Sequence, residues 1–220
     1  MAAAGVNYHV GRESNATYGE TLNGVQPKLN TKNHRFIKFV DPYVTKGDPT
    51  SGLLWGIQET SLPADGSGDR TVQAYCYRMC TTDVPENRRD WPKPADYDES
   101  RYELLLRNFE AGDHRVPWNP VWMPNRKTDT NNNHAFSTDY IGGNYEYPEA
   151  DYATRQKIVA DHRSYQQGIF WTLANHERVP AKVRAEFQLN GEARLEDLAR
   201  AVSRGELDPY AAADRVVLGL

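Results

Sequence analysis

Residues 71–79, Thr71-Val72-Gln73-Ala74-Tyr75-Cys76-Tyr77-Arg78-Met79, carry the clearest two-residue alternation in the chain: Val72, Ala74 and Cys76 are set against Gln73, Tyr75 and Tyr77. Successive strand side chains point to opposite faces, so this period predicts a strand with one small apolar face and one amphipathic face. An α+β fold follows, with a small mixed or antiparallel sheet around this strand, packed loops, and helices gathered late in the chain. The strand runs into Arg78-Met79-Cys80-Thr81-Thr82-Asp83. A cation and small polar groups at the C-terminal end of a β element are well placed for binding. The other reading of Arg78 is an edge-strand cation paired with Asp83 or Glu86.

Downstream, Arg126 to Gly143 reads Arg-Lys-Thr-Asp-Thr-Asn-Asn-Asn-His-Ala-Phe-Ser-Thr-Asp-Tyr-Ile-Gly-Gly. Its density of short hydrogen-bonding side chains predicts a loop, made rigid by Asn, Asp and Thr groups that bond their own backbone. Trp118, Trp122, Phe136, Tyr140, Tyr145 and Tyr147 flank it, so the loop is expected to pack into the body as a polar wall with aromatic sides.

Helices are signalled by caps and by a 3.6-residue period. Asp98 caps a helix with Tyr102, Leu105, Leu106 and Phe109 on one face and Gly112 past its end. The longest helix follows Pro148, capped by Asp151 or Thr154, with Ile158, His162, Tyr165, Ile169 and Leu173 as its core stripe. On that stripe His162 reads as a core histidine rather than a ligand. Pro180 opens a short helix that buries Val183 and Phe187. Earlier, Val6 to Val10 and Phe36 to Val40 are short strand candidates among loops. After Asn190-Gly191 aromatics nearly vanish. Residues 1–190 therefore read as one region and 191–220 as a separate helical pair.

The 220 residues carry 39% hydrophobic side chains, and thirteen Tyr and five Trp supply large buried area. A net charge of -4 argues against nucleic acid as a partner. No apolar run is long enough to span a membrane, and the first residues have neither a basic head nor a long apolar middle, so a cytoplasmic protein is expected. Cys76 and Cys80, the two cysteines, would lie about 13 Å apart on one strand, too far to bridge. The six histidines show no metal-ligand spacing. There is no Gly-x-Gly-x-x-Gly after a strand and no phosphate-cradling Gly-Lys-Ser/Thr loop. His134, inside the polar loop, is the candidate for proton transfer.

Three blocks together resemble one family. They are Val6 to Glu13 with Tyr18 to Gln26; Gln73 to Cys80 through Pro85 to Arg88; and Asn125 to Asp129 through Phe136 to Gly142. In this order they resemble bacterial FAD-dependent oxidoreductases of the FAD_oxidored type, over roughly residues 1 to 187. The resemblance implies a flavoenzyme with FAD as cofactor and a small polar substrate. In it, Arg78 and Lys127 would stabilise charge, His134 would serve as base, and Tyr75 and Asn132 would contact substrate. It also implies that the chain is the truncated substrate-side region of a two-domain flavoprotein, beginning after the nucleotide-binding half and binding FAD poorly alone. Glu206 to Ala213 is weakly similar to the C-terminal arm of methylmalonyl-CoA-mutase-associated GTPases. The competing reading is a non-enzymatic carbohydrate-binding module, in which aromatic faces beside Asn and Asp groups meet sugar rings.

Overall fold

A computed structural model describes residues 4–27, 34–59, 61–193, 201–206 and 208. In chain order its elements are α1 (Asn15–Tyr18), β1 (Met79–Thr82), β2 (Arg88–Arg89), α2 (Glu103–Glu110), β3 (Trp118–Met123), β4 (Lys127–Asn132), α3 (Tyr152–Asn175), α4 (Ala181–Leu189) and β5 (Gly191–Ala193). The strands form a five-stranded sheet ordered β2-β5-β1-β4-β3, antiparallel at every pairing. This is the expected α+β arrangement. Its strands, however, are not where the alternation put them.

Residues 71–78 are not in the sheet, which begins only at Met79. They are held by other partners. The Gln73 carbonyl accepts from Asn144 Nδ2 at 2.6 Å and the Tyr75 carbonyl from Tyr140 N at 3.2 Å. The Tyr77 backbone is bonded on both sides by the Gln166 amide. A period of two reports side chains facing opposite ways along extended backbone; it does not say that the backbone partner is another strand.

The opposite correction applies to Arg126–Gly143, whose first third is strand β4 rather than loop. Thr128 and Thr130 alternate with Lys127, Asp129 and Asn131, and both threonines are buried. Their hydroxyls meet at 3.0 Å, and Thr128 Oγ1 lies 2.5 Å from Thr81 Oγ1 across the β1–β4 pair. Threonine is β-branched and satisfies its own hydroxyl in this ladder, so a polar stretch pairs as a central strand. The residues after β4 are irregular, as expected, and the ring contacts dock them: Phe136 and Tyr140 lie 6.2 and 4.7 Å from Tyr165. Val6–Val10 and Phe36–Val40 form no strand, and Val6, Ile37 and Phe39 are exposed.

The helices stand as their caps predict. Asp98 accepts from Ser100 N at 2.9 Å and starts a 3-10 turn that continues as α2. Asp151 Oδ1 accepts from Thr154 N at 2.7 Å at the head of α3. Leu105, Leu106 and Phe109 of α2, Ile169, Phe170 and Leu173 of α3, and Val183 and Phe187 of α4 form the core. Each such large side chain removed from water contributes about 1.5–3 kcal/mol. Trp91 seals its lower edge, stacked on Phe170 at 4.6 Å with its indole N–H donated to the Phe187 carbonyl at 2.8 Å. His162 is a core residue, as read: its Nδ1 lies 2.8 Å from the Ile158 carbonyl, while Nε2 is buried without a hydrogen bond.

The N-terminal segment interlocks with residues 64–70 rather than with the sheet. Arg12 and Asp69 exchange backbone hydrogen bonds at 2.9 and 3.0 Å. A Cβ on Gly11 would fall 2.3 Å from the Asp69 carbonyl, at φ +106, so only glycine fits. At the other end, β5 inserts between β2 and β1. The helical pair expected over 191–220 lies largely outside the described residues, as does most of the segment from 206 to 213. Within the described ones, 201–203 are helical and Gly205 N closes on the Val202 carbonyl at 3.0 Å.

Candidate functional site

Where α3 crosses the start of β1, a cavity of about 660 Å³ opens between them. One wall is Tyr77, Arg78, Met79 and Cys80; the other is the α3 stripe Arg155, Val159, Arg163, Gln166 and Phe170. Residues 155, 159 and 163 fall on one helix face because each is four positions from the last. Trp91, Glu192, Tyr147 and Tyr152 complete the lining.

The wall positions are fixed by local chemistry. Gln166 pins Tyr77 from both sides, and the Tyr77 hydroxyl donates to the Val159 carbonyl at 3.0 Å. Arg155 donates to the Tyr147 and Pro148 carbonyls at 2.9 and 2.8 Å, and its guanidinium sits 5.4 Å from the Tyr147 ring centre. Arg78 grips the Asp129 carboxylate with Nε, at 3.0 Å, and with Nη2. That hydrogen bonding raises the Arg78 pKa, so it is a permanent cation. The anticipated partners Asp83 and Glu86 are not used by it; Asp83 pairs instead with Arg126.

Of the residues singled out from sequence, Arg78 lines the cavity and Tyr75 stands behind it, edge-on to Tyr147 at 5.7 Å. Lys127 and Asn132 occupy the two ends of β4, and His134 follows in a left-handed turn at φ 67; none of the three lines this cavity. Asn132 Nδ2 donates to the Asp139 carboxylate, which also raises the Cys76 thiol after the larger effect of burial. Burial likewise raises Cys80. Both shifts favour the protonated thiol over the thiolate. Among the described residues no group of His, Cys, Asp and Glu is placed to hold a metal, and no helix is long and apolar enough to cross a membrane. Of the ring platforms a carbohydrate reading needs, Trp91 and Trp118 are buried, and Trp122 is exposed.

Sequence reasoning missed Tyr77, Trp91, Arg155, Arg163, Gln166 and Phe170. A signal existed for the helical ones, since Arg155, Val159 and Arg163 repeat at four-residue spacing beside the core stripe. Which element covers that stripe was not legible, because residues 77–80 are far away in sequence.

The cavity has the concave shape and the ring and arginine lining of the kind small-molecule sites use. The family model described as FAD dependent oxidoreductase matches residues 1–201, and the chain belongs to that family. No curated protein and no solved structure matches it.

FAD asks two things of a protein: a surface for a flat ring, and backbone N–H groups at a helix N-terminus for its diphosphate. The cavity rings suit the first. Two of the described helix starts oppose the second. At α3 the Asp151 carboxylate already takes the Thr154 N–H, and at the turn leading into α2 Asp98 takes the Ser100 N–H. A carboxylate at each of these ends opposes a second anion there. α4 begins behind Pro180 with no side-chain cap and no acidic residue in its first turn, so its first-turn N–H groups are not opposed in this way.

Proposed function

We propose that this chain supplies the substrate-facing side of an FAD-dependent oxidoreductase site, with the cavity between α3 and residues 77–80 holding the substrate. What supports the reading is that every residue lining the cavity lies within the family match, while the helix starts at Asp98 and Asp151 are already capped by carboxylates. In this reading the nucleotide is gripped by residues other than those described. Flavin, when bound, supplies hydride acceptance; the protein supplies binding, orientation and exclusion of water.

Met79 and Val159 give the cavity apolar surface, backed by the buried Trp91 and Phe170. Arg78, fixed by Asp129, offers a positive field to negative oxygens. Gln166 keeps the Tyr77 wall at constant distance from the helix, which orients what lies between. Tyr75 acts by holding Tyr147. Lys127, Asn132 and His134 are assigned no contact in the cavity. Their part is the β4 flank, where Asn132 and Asp139 brace the segment beside Cys76.

Titration of the purified chain with FAD, followed by flavin fluorescence, tests the assignment of sides. Saturation is expected only above on the order of 100 µM, if at all. Saturable binding at micromolar FAD would show that the described residues grip the nucleotide after all.

A further inference from the structure

The polar groups that line the cavity divide by whether they already have a partner. The charged ones do. Arg78 holds Asp129, Arg155 donates to the Tyr147 and Pro148 carbonyls, Glu192 pairs with Arg89 at 3.3 Å, and Arg163 is not free either. What is left over is neutral. The side-chain amides of Gln156 and Gln167 and the hydroxyls of Tyr147 and Tyr152 line the cavity without a hydrogen-bond partner among the described residues. Tyr152 is 82% exposed, which leaves a face of its ring open to solvent. Gln156 lies one helical turn beyond Tyr152 on the same side of α3. Gln167 is eleven residues further on, about 16 Å along the helix axis.

From this arrangement we infer that the molecule held here is a neutral oligosaccharide. The inference rests on the reading of this cavity as the substrate side and names its substrate class. A sugar ring has a flat face of C–H groups and an edge of hydroxyls. The C–H groups carry slight positive charge and lie on the negative face of an aromatic ring, which Tyr152 offers at the cavity mouth. Each hydroxyl both donates and accepts, and so does a glutamine amide, so one amide satisfies two neighbouring hydroxyls. The distance between the two amides sets the size: a single sugar ring does not reach both, whereas a chain of rings laid along α3 does. An apolar ligand of the same length would strip water from the amides and hydroxyls and give them nothing in return. A charged ligand would have to draw on side chains that already hold other groups.

The test is a glycan array of neutral and acidic sugars probed with the full 220-residue chain, followed by calorimetric titration with the strongest hit as a free sugar and, in parallel, with FAD. The variants are Tyr152→Ala, Tyr152→Phe, Gln156→Ala, Gln167→Ala and Ala160→Trp, each checked for an unchanged circular dichroism melt. Ala160 is an exposed lining residue, so the indole of Ala160→Trp fills the cavity from its solvent side. Expected are hits among neutral oligosaccharides, binding that does not weaken as salt rises, and single sugars bound at least about tenfold more weakly. Tyr152→Ala should lose about tenfold and Tyr152→Phe, which keeps the ring, much less. Gln156→Ala and Gln167→Ala should each lose about three- to tenfold, and Ala160→Trp should not bind. With FAD also unbound, an array without hits, hits confined to acidic sugars, or sugar binding that Ala160→Trp leaves intact would overturn the oligosaccharide inference and leave the assignment of sides standing. Micromolar FAD binding that Ala160→Trp abolishes would put the nucleotide in this cavity and overturn that assignment and the inference with it.

Discussion

The side-chain amide of Gln166 brackets the backbone of Tyr77: its Oε1 accepts from Tyr77 N at 3.0 Å, and its Nε2 donates to Tyr77 O at 3.0 Å. A helix side chain thereby does for residue 77 what a neighbouring strand would do. The extended segment is fastened to α3, and one wall of the cavity is set by that fastening.

Replacing Gln166 with Leu keeps the volume roughly and removes both bonds. Gln166 is buried, so the Tyr77 N–H and C=O lose their partners where water cannot easily replace them. A loss of about 2–5 kcal/mol in urea unfolding is expected. An unchanged midpoint would mean that the bracket contributes nothing.

Gly168 lies in the middle of α3, against Tyr102. A Cβ there would fall 1.8 Å from the Tyr102 hydroxyl oxygen and 2.5 Å from Cζ, and Tyr102 is buried. Gly168→Ala in an exposed helix would gain about 1 kcal/mol; here it should cost about 2–4 kcal/mol through overpacking. Adding Tyr102→Phe removes the nearer clash and leaves the farther one. Chemical denaturation should therefore show partial rather than full recovery in the double variant.

Arg107 is buried and donates to the carbonyls of Asp41, Tyr43 and Val44 at 3.2, 2.6 and 2.9 Å, and to Glu103 at 2.7 Å. Only a planar fork with several donors serves all of these at once. Arg107→Lys should release residues 41–56 without unfolding the helices. Hydrogen exchange would show this as faster exchange confined to that segment, and uniform acceleration would contradict it.

Asp69 is held at about 2, first by its hydrogen bond with Arg12 and then, against the opposing effect of burial, by those from Thr71. Its folded pKa lies below the unfolded value near 4. The stabilisation is thus fully present above pH 4 and is lost as pH falls from there through about 2. Acid titration should loosen residues 11–26 from 64–71 in that window. Asp69→Asn should remove that step, leaving a flatter pH dependence measured by thermal melts.

The helices were legible because each carries its own start signal. Asp98 and Asp151 accept backbone N–H bonds where their positions said they would, and the apolar stripes need only a core to face. The sheet was less legible. Thr71–Arg78 and Lys127–Asn132 were read in opposite senses, as strand and loop, and the structure exchanges them. The first is extended backbone whose partners, Asn144, Tyr140 and Gln166, come from distant loop and helix. The second is polar in composition yet buries Thr128 and Thr130, whose hydroxyls satisfy one another only once Thr81 lies opposite. Arg78 was reachable as a site residue from its place at the C-terminal end of the expected strand, although the structure sets it just before β1. Arg155 and Arg163 were hidden by the core stripe beside them, since nothing in the helix itself shows what its second face meets.

We propose above that the chain presents the substrate side of a flavin site and not the side that grips the nucleotide. The absorbance spectrum of the freshly purified chain tests it most directly. Colourless protein with no flavin bands and no retention of added FAD through gel filtration is expected; yellow protein carrying flavin in stoichiometric amount would contradict the proposal.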